Sequence, residues 1–414
     1  MSYPRLLQPR LEEALDDTPV VLIHGPRQCG KTTLAKKVGD LRGYTYLSFD
    51  DVNLVAAAKA DPIGFVDRLA DRVILDEIQH VPELFSSIKH AVDRERSPGR
   101  FLLTGSANVL LLPKLSDSLA GRIDIIHLHP LSRCEIESSG NGLLEQLFRG
   151  EFEVGVLEKL GSKLAEYVVE GGFPEPHQRK SARRKSQWYA NYVETLVQRD
   201  IRDLARISNL EAMPKLLQLA AHQSAQLLNK QTLASPFQMS RQTVDSYFTL
   251  LQNVFLVDLL PAWHSNRGKR LIKTPKVHMS DTGLASALLG LSVDQLDSDR
   301  TMLGHLLESF IYNELRRQAS WSDSDIKFYH FRDKDQYEVD IVMEQHGGGV
   351  VAVEVKAAAT VTEKDFRGLK RLQSMVGSPW KMGIVFFDGE IPLSFGDDLI
   401  AMPISGLWDK NIIS

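Results

Sequence analysis

Cysteine is almost absent: the 414 residues include 2, Cys29 and Cys134, far apart and in no metal-ligand spacing. That argues against a disulfide framework or a thiolate zinc site and predicts a reduced, cytoplasmic location. Long apolar runs are missing as well. None approaches the ~18 residues a membrane-spanning helix needs, so no membrane partner is expected. Met1 to Asp17 mixes charged and apolar residues without the apolar core of a signal peptide. A dominant charge is also lacking, since 49 Lys and Arg face 53 Asp and Glu for a formal net charge of -4. A chain so balanced does not bind polyanions with its whole surface, so any nucleic-acid contact must come from local patches.

What remains is an ordinary folding composition, 43% hydrophobic and 25% charged, long enough for about two or three domains. Near the N-terminus the apolar run Val20-Val21-Leu22-Ile23 leads into Gly25-Pro26-Arg27-Gln28-Cys29-Gly30-Lys31-Thr32-Thr33. A buried strand, a glycine-rich turn and then a helix from Lys31 to about Val38 make a phosphate cradle. The glycines let successive backbone N–H groups point inward, and the helix N-terminus adds its dipole. In that cradle Lys31 reaches the β- and γ-phosphates and the Thr32 hydroxyl ligates Mg²⁺. Two further strands, Tyr44–Phe49 and Arg72–Leu75, are apolar enough for a parallel sheet buried on both faces. The second ends in Asp76-Glu77. There Asp76 is placed to hold the Mg²⁺ shell, and Glu77 to orient and polarise the attacking water; a plain helix cap is the competing reading.

Phe101 to Ser106 is a fourth strand running into a polar turn. Ser106 is the candidate to sense the γ-phosphate or the lytic water, with Thr104 and Asn108 as rivals, and an ordinary turn stands equal to all three. Arg122 is a candidate to stabilise transition-state charge, from its own subunit or from a neighbour's in a homo-oligomer. A surface ion pair explains it equally well.

The strings His24 to Leu34, Leu75-Asp76-Glu77-Ile78-Gln79 and Leu103-Thr104-Gly105-Ser106 closely resemble prokaryotic AAA-type ATPases that carry a C-terminal domain of unknown function, numbered 4143. Gly171-Gly172-Phe173-Pro174-Glu175 and Ser280-Asp281-Thr282-Gly283-Leu284 resemble the same family. The resemblance implies ATP binding and hydrolysis; its midsection strings imply no chemistry. Cys29 inside the loop departs from the pattern and is expected to expose the site to oxidation without preventing phosphate contact.

The middle of the chain reads as helical and locally basic. Apolar residues recur at helical spacing from about Leu143 to Val169. Arg179, Lys180, Arg183, Arg184 and Lys185 precede Trp188, Tyr189 and Tyr192, a mixture that can grip a phosphate backbone. For the aromatics a core face is the preferred reading. Met213 to Trp263 reads as a winged helix-turn-helix, with helices over Leu216–Leu228 and from Lys230, a turn at Pro236-Phe237-Gln238, and a third helix capped by Ser240. Arg241, Gln242 and Thr243 then stand where recognition residues lie. Val254–Val257 and Arg270–Ile272 are the expected wing strands. The basic residues Arg267, Lys269, Arg270, Lys273 and Lys276, with no acid among them, suit a DNA-touching wing; packing or regulation is the alternative.

The last block resembles a restriction-endonuclease-like fold. Leu306 to Leu315 is an amphipathic helix with Glu308 on its inward face. Strands Ile326–Phe331, Glu338–Met343 and Val350–Lys356 follow, then a helix Thr362–Met375 and a strand Met382–Phe387. Asp340 on one strand and Glu354-Val355-Lys356 on its hairpin neighbour match PD-(D/E)xK nucleases, although Val339 stands where the motif's proline would be. In that reading Asp340, Glu354 and Glu308 hold Mg²⁺, and Lys356 positions or activates water. The expected α/β organisation is an ATPase domain over 1–135, a helical and winged-helix region over 136–300 and a nuclease-like domain over 301–414. The expected activity is ATP hydrolysis coupled to DNA binding and metal-dependent cleavage. The alternative is a nucleotide-controlled switch or scaffold that binds a partner without cutting.

Overall fold

The computed structural model describes residues 3–106, 119–140, 142–150, 155–202, 211–237, 239–270 and 273–409, with the side chains of Arg199, Arg267 and Lys269 left out. Two compact units are present. One comprises Arg5–Pro130 with Asn253–Phe255, and the other Met1–Pro4, Leu131–Gln252 and Leu256–Ser414. Among the described residues no helix is long and apolar enough to cross a membrane.

In the first unit five strands, β1 (Val20–His24), β2 (Thr45–Ser48), β3 (Val73–Asp76), β4 (Phe101–Gly105) and β5 (Ile123–His127), form a sheet of order β2-β3-β4-β1-β5. Every pairing is parallel. Val20, Leu22, Val73, Leu75, Phe101 and Leu103 are buried in one core with Leu84, Phe85, Ile88 and Val92, so β1, β3 and β4 are covered as their unbroken apolar runs require. The parallel arrangement brings the loops after β1, β3 and β4 to one edge, where open α/β sheets bind ligands. Sequence patterning missed β5, whose Asp124 and Ile125 are exposed.

The second unit begins with helices. The stretch read as continuously helical from Leu143 is interrupted, with helices at Leu144–Arg149 and Lys163–Glu170 and 151–154 outside the described residues. Trp188, Tyr189 and Tyr192, on the helix Ala182–Thr195, are core residues at 8%, 2% and 6% exposure. They therefore do not stack on bases. The two family strings meet at Asp281: Gly172 N–H donates to Asp281 Oδ2 at 2.6 Å, the Tyr189 hydroxyl to Oδ1 at 3.1 Å, and Arg317 pairs with it at 3.2 Å. A Cβ on Gly171 would lie 2.2 Å from Asp281 Oδ1. These strings form a structural staple.

Helices Ala212–His222, Lys230–Ala234 and Arg241–Asn253 accompany an antiparallel sheet of order β6-β8-β7, formed by β6 (Gln226–Leu227), β7 (Val257–Leu260) and β8 (Lys276–Met279). Ser240 Oγ accepts from Thr243 N–H at 3.1 Å, the expected cap. The boundaries shift for local reasons. Ala225 and Phe255 have positive φ (63° and 58°), which ends helical geometry after His222 and delays β7 to Val257. Arg270 lies in a helical turn, Arg267–Arg270, not in a strand; Gln238, Leu271 and Ile272 lie outside the described residues.

The long helix Arg300–Trp321 precedes a six-stranded mixed sheet of order β13-β14-β12-β11-β10-β9. Its strands are β9 (Ile326–Arg332), β10 (Glu338–Gln345), β11 (Val350–Val355), β12 (Trp380–Phe387), β13 (Leu393–Ser394) and β14 (Leu399–Pro403). β10 and β11 form the expected antiparallel hairpin. The helix Arg367–Val376 packs Leu369 and Leu372 into the core of this sheet.

Candidate functional site

The phosphate loop is held from below. A Cβ on Gly25 would stand 2.1 Å from Leu128 O, so only glycine fits between the loop and the chain after β5. Arg5 clamps the other side, donating to Cys29 O and His129 O at 2.7 Å each; nothing in the sequence pattern marked it. Gln28 turns the loop at φ 59°, and Gly30 starts the helix Lys31–Arg42. Cys29 is completely buried, and its thiol donates to Leu128 O at 3.4 Å. Burial raises that thiol, so the expected exposure to oxidation does not hold: a thiol that is shielded and kept protonated is inert.

Lys31 is also buried. Its ammonium donates to Gly25 O and Pro26 O at 3.0 and 2.8 Å, within the loop that is to receive phosphate. Thr32 donates to Asp76 Oδ1 at 2.9 Å. Asp76 further accepts from Tyr46 at 2.7 Å and, closely, from Thr104. Burial and Asp76 together push the Tyr46 phenol up to about 12, so it remains a donor. Tyr46 was read only as a strand residue, because its partner lies on the neighbouring strand.

Glu77 sits just beyond β3 with left-handed backbone (φ 56°), a conformation that non-glycine residues keep mainly where surrounding structure enforces it. Its N–H donates to Thr104 Oγ1 at 3.1 Å, and its carboxylate accepts from Ser106 at 3.0 Å and from Gln79. Burial raises the Glu77 carboxyl, but Lys31, Gln79 and Ser106 outweigh it and hold it below the usual range. Glu77 is therefore ionised, as a water-orienting base must be. Ser106 thus touches the Glu77 acid itself, Thr104 bonds the Asp76 carboxylate and the Glu77 N–H, and Asn108 lies outside the described residues. Arg122 pairs with Asp93 and donates to Ala120 O at 3.0 Å. None of its bonds among the described residues reaches the loop.

The C-terminal acids also converge. Asp340 Oδ2 accepts from Val355 N–H at 3.0 Å, joining the hairpin strands, and Lys356 Nζ lies 3.5 Å from Glu354 Oε2. Glu308, on the long helix, is 8% exposed. A fifth residue stands among them. Lys276, the first residue of β8 and expected on a DNA-touching wing, is 6% exposed. It places Nζ 2.7 Å from Glu308 Oε1 and 3.1 Å from Asp340 Oδ1. Two other wing cations are likewise engaged, since Arg270 pairs with Glu344 at 2.7 Å and Lys273 donates to Arg332 O at 3.3 Å. Of the three, Lys276 is buried, while Arg270 and Lys273 are half-buried.

Burial lowers the Lys276 ammonium, but Glu308 and Asp340 more than reverse this and raise it. Burial and Asp340 push Glu308 up to about 8 and Glu354 well above the carboxylate range. Asp340 is held low, because Lys276, Lys356 and the Val355 N–H outweigh its burial. A divalent ion 4 Å from the Lys276 ammonium would meet a repulsion of about 8 kcal/mol at an effective dielectric of 20. Among the described residues no group of three or more His, Cys, Asp or Glu is disposed to hold a metal. The expected Mg²⁺ set Glu308, Asp340 and Glu354 therefore does not fit the ion as it stands: the acids are assembled, but an ammonium lies between two of them.

Comparison with known proteins agrees with the order of these parts. Residues 17–137 match the family described as AAA domain, 161–295 a domain of unknown function (DUF8612), and 303–407 a domain of unknown function (DUF4143). An AAA-type ATPase domain is thus matched in the N-terminal part of the chain and a domain 4143 in its C-terminal part. It is 29% identical over 396 residues to uncharacterised proteins of Mycobacterium bovis and Mycobacterium tuberculosis, covering 95% of this chain and 82% of each relative. An uncharacterised protein of Methanocaldococcus jannaschii is 22% identical over 87% of this chain and 80% of its own. Among solved structures, the Walker-type ATPase of Pyrococcus abyssi is similar at 16% identity and TM-score 0.39, over 68% of this chain and 94% of its own. The RuvB Holliday junction branch migration motor of Thermotoga maritima is similar at 18% identity and TM-score 0.29, over 64% and 93%.

Proposed function

We propose that this chain hydrolyses ATP, with Glu77 as the residue that activates water. The observation that carries the reading is the bonded set Thr32–Asp76 and Glu77–Ser106, which ties the phosphate loop, β3 and β4 into one centre. The Thr32 hydroxyl and Asp76 carboxylate are hard oxygen donors of the kind Mg²⁺ prefers. A Mg²⁺ held there by Thr32 and Asp76 would supply charge neutralisation for the bound phosphates. The chain's own residues do the rest. Lys31 exchanges the carbonyls of Gly25 and Pro26 for phosphate oxygens, while the backbone of Pro26 to Thr33 cradles them. Glu77 takes a proton from the attacking water as the new oxygen–phosphorus bond forms. The bond to the β-phosphate oxygen breaks, and its electron pair leaves with ADP. Arg122, engaged with Asp93 in its own chain, is assigned to a neighbouring copy's nucleotide in a homo-oligomer.

DNA is the proposed partner, met by the exposed Arg241 and Gln242 at the start of their helix in a winged-helix arrangement. The C-terminal sheet is read as restriction-endonuclease-like and as a binding module rather than a cutting one, because Lys276 stands inside its acid set. That makes the protein a nucleotide-controlled switch. The test is ATP turnover with and without duplex DNA for wild type, Lys31→Ala, Glu77→Gln and Arg241→Ala/Gln242→Ala. The reading expects no turnover in the first two variants and loss of DNA stimulation in the third. Turnover by Glu77→Gln at the wild-type rate would refute it.

A further inference from the structure

The point between Glu308 and Asp340 is where a shared metal ion would have to stand, and Lys276 Nζ stands there. The lysine is not a surface side chain folded in by chance. β8 is the central strand of its sheet, with Lys276 opposite Leu227 on one side and Leu260 on the other. The next three residues, Val277, His278 and Met279, are completely buried. The backbone that carries the ammonium is therefore fixed from both edges.

A second polar group shares the cavity that the ammonium lines. His330 is 2% exposed. Its Nε2 meets Thr274 O at 3.0 Å, but its Nδ1 finds no partner among the described residues. It lines the same cavity, about 630 Å³, as Lys276, Glu308 and Asp340. Carboxylate oxygens and an imidazole nitrogen are donor types a divalent ion accepts, but among the described residues no three of them are grouped to hold one.

We infer that Lys276 is the built-in counter-cation of the C-terminal acid centre and closes that centre to divalent metal ions while β8 is seated in its sheet. The class of ligand excluded is a hard or borderline divalent cation; withdrawing the ammonium admits it. The inference rests on reading the C-terminal domain as non-cutting. Its test reads metal occupancy rather than cleavage, so the two can fail separately.

The experiment is Mn²⁺ uptake by the full-length, nucleotide-free protein, followed by loss of the free-ion electron paramagnetic resonance signal. Wild type and Asp340→Asn are expected to take up the same amount, since ions bound elsewhere are common to both. Lys276→Met is expected to gain one Mn²⁺ per chain, and Lys276→Met/Asp340→Asn to lose it again. Wild-type uptake that drops in Asp340→Asn would overturn the inference, as would a folded Lys276→Met that gains nothing. If Lys276→Met does not fold, the first pair still decides, equal uptake supporting the inference and a drop overturning it.

Discussion

Asp76 with Glu77 and Glu308 with Asp340 and Glu354 are both clusters of buried or half-buried carboxylates, and each has a lysine nearby. Around the first, Lys31 bonds the loop carbonyls of Gly25 and Pro26 and leaves the acids to hydroxyls and an amide. Around the second, Lys276 bonds the acids themselves. The first centre keeps its anionic charge available to a cation; the second has spent much of it internally. An acid cluster is thus defined as a cofactor site less by its acids than by where the nearest fixed cation points.

Four substitutions sharpen or break that contrast. The largest effect belongs to Glu77→Gln. ATP hydrolysis should fall roughly a hundredfold or more while nucleotide binding persists, as read by turnover alongside equilibrium binding of a fluorescent ATP analogue. Equal loss of binding would make Glu77 a structural residue. Lys276→Met comes next. Two buried acids left without their cation should destabilise the fold by about 3–5 kcal/mol in urea, and Lys276→Met/Glu308→Gln/Asp340→Asn should recover much of it. No recovery would mean that the lysine acts through packing alone.

A third, smaller effect depends on pH. Glu308 keeps its proton up to about 8 in the folded chain, against 4.5 ordinarily. Between those values the folded state binds more protons than the unfolded state. Its contribution to stability therefore falls as pH rises through the window and levels off above it. Glu308→Gln should bring the urea midpoints at about pH 5 and pH 8 closer together than in wild type; a wider gap would contradict the assignment. The smallest effect is expected of Arg122→Ala. Its ion pair with the solvent-exposed Asp93 is screened and contributes little, and turnover by isolated chains should hardly change. A collapse in turnover would place Arg122 in the nucleotide centre after all.

The nucleotide centre was legible because its motifs are contiguous and each sits at a strand end: Gly25 to Thr33 after β1, Asp76-Glu77 after β3, Ser106 after β4. What escaped the sequence is what arrives from elsewhere, namely Arg5 under the loop, Tyr46 on a neighbouring strand and Gln79 across from Ser106. The edge strand β5 escaped because Asp124 and Ile125 break the apolar pattern that marks the inner strands. The C-terminal acids were also legible, since a hairpin fixes Asp340 against Glu354 locally. Lys276 was not, because it stands in a run of basic residues that reads as a solvent-facing wing. Its partners lie 32 and 64 positions away, a separation no periodicity reveals. The helix and strand limits around Ala225 and Phe255 depended on left-handed backbone at residues that do not favour it, which composition cannot disclose.

The most direct measurement follows ATP and DNA in one tube: full-length wild type with Mg²⁺, ATP and labelled duplex, single-stranded and branched DNA, beside Asp340→Asn. The account predicts ADP formation with every DNA substrate left intact. DNA cleavage by wild type that disappears in Asp340→Asn, with Lys276 in place, would contradict it.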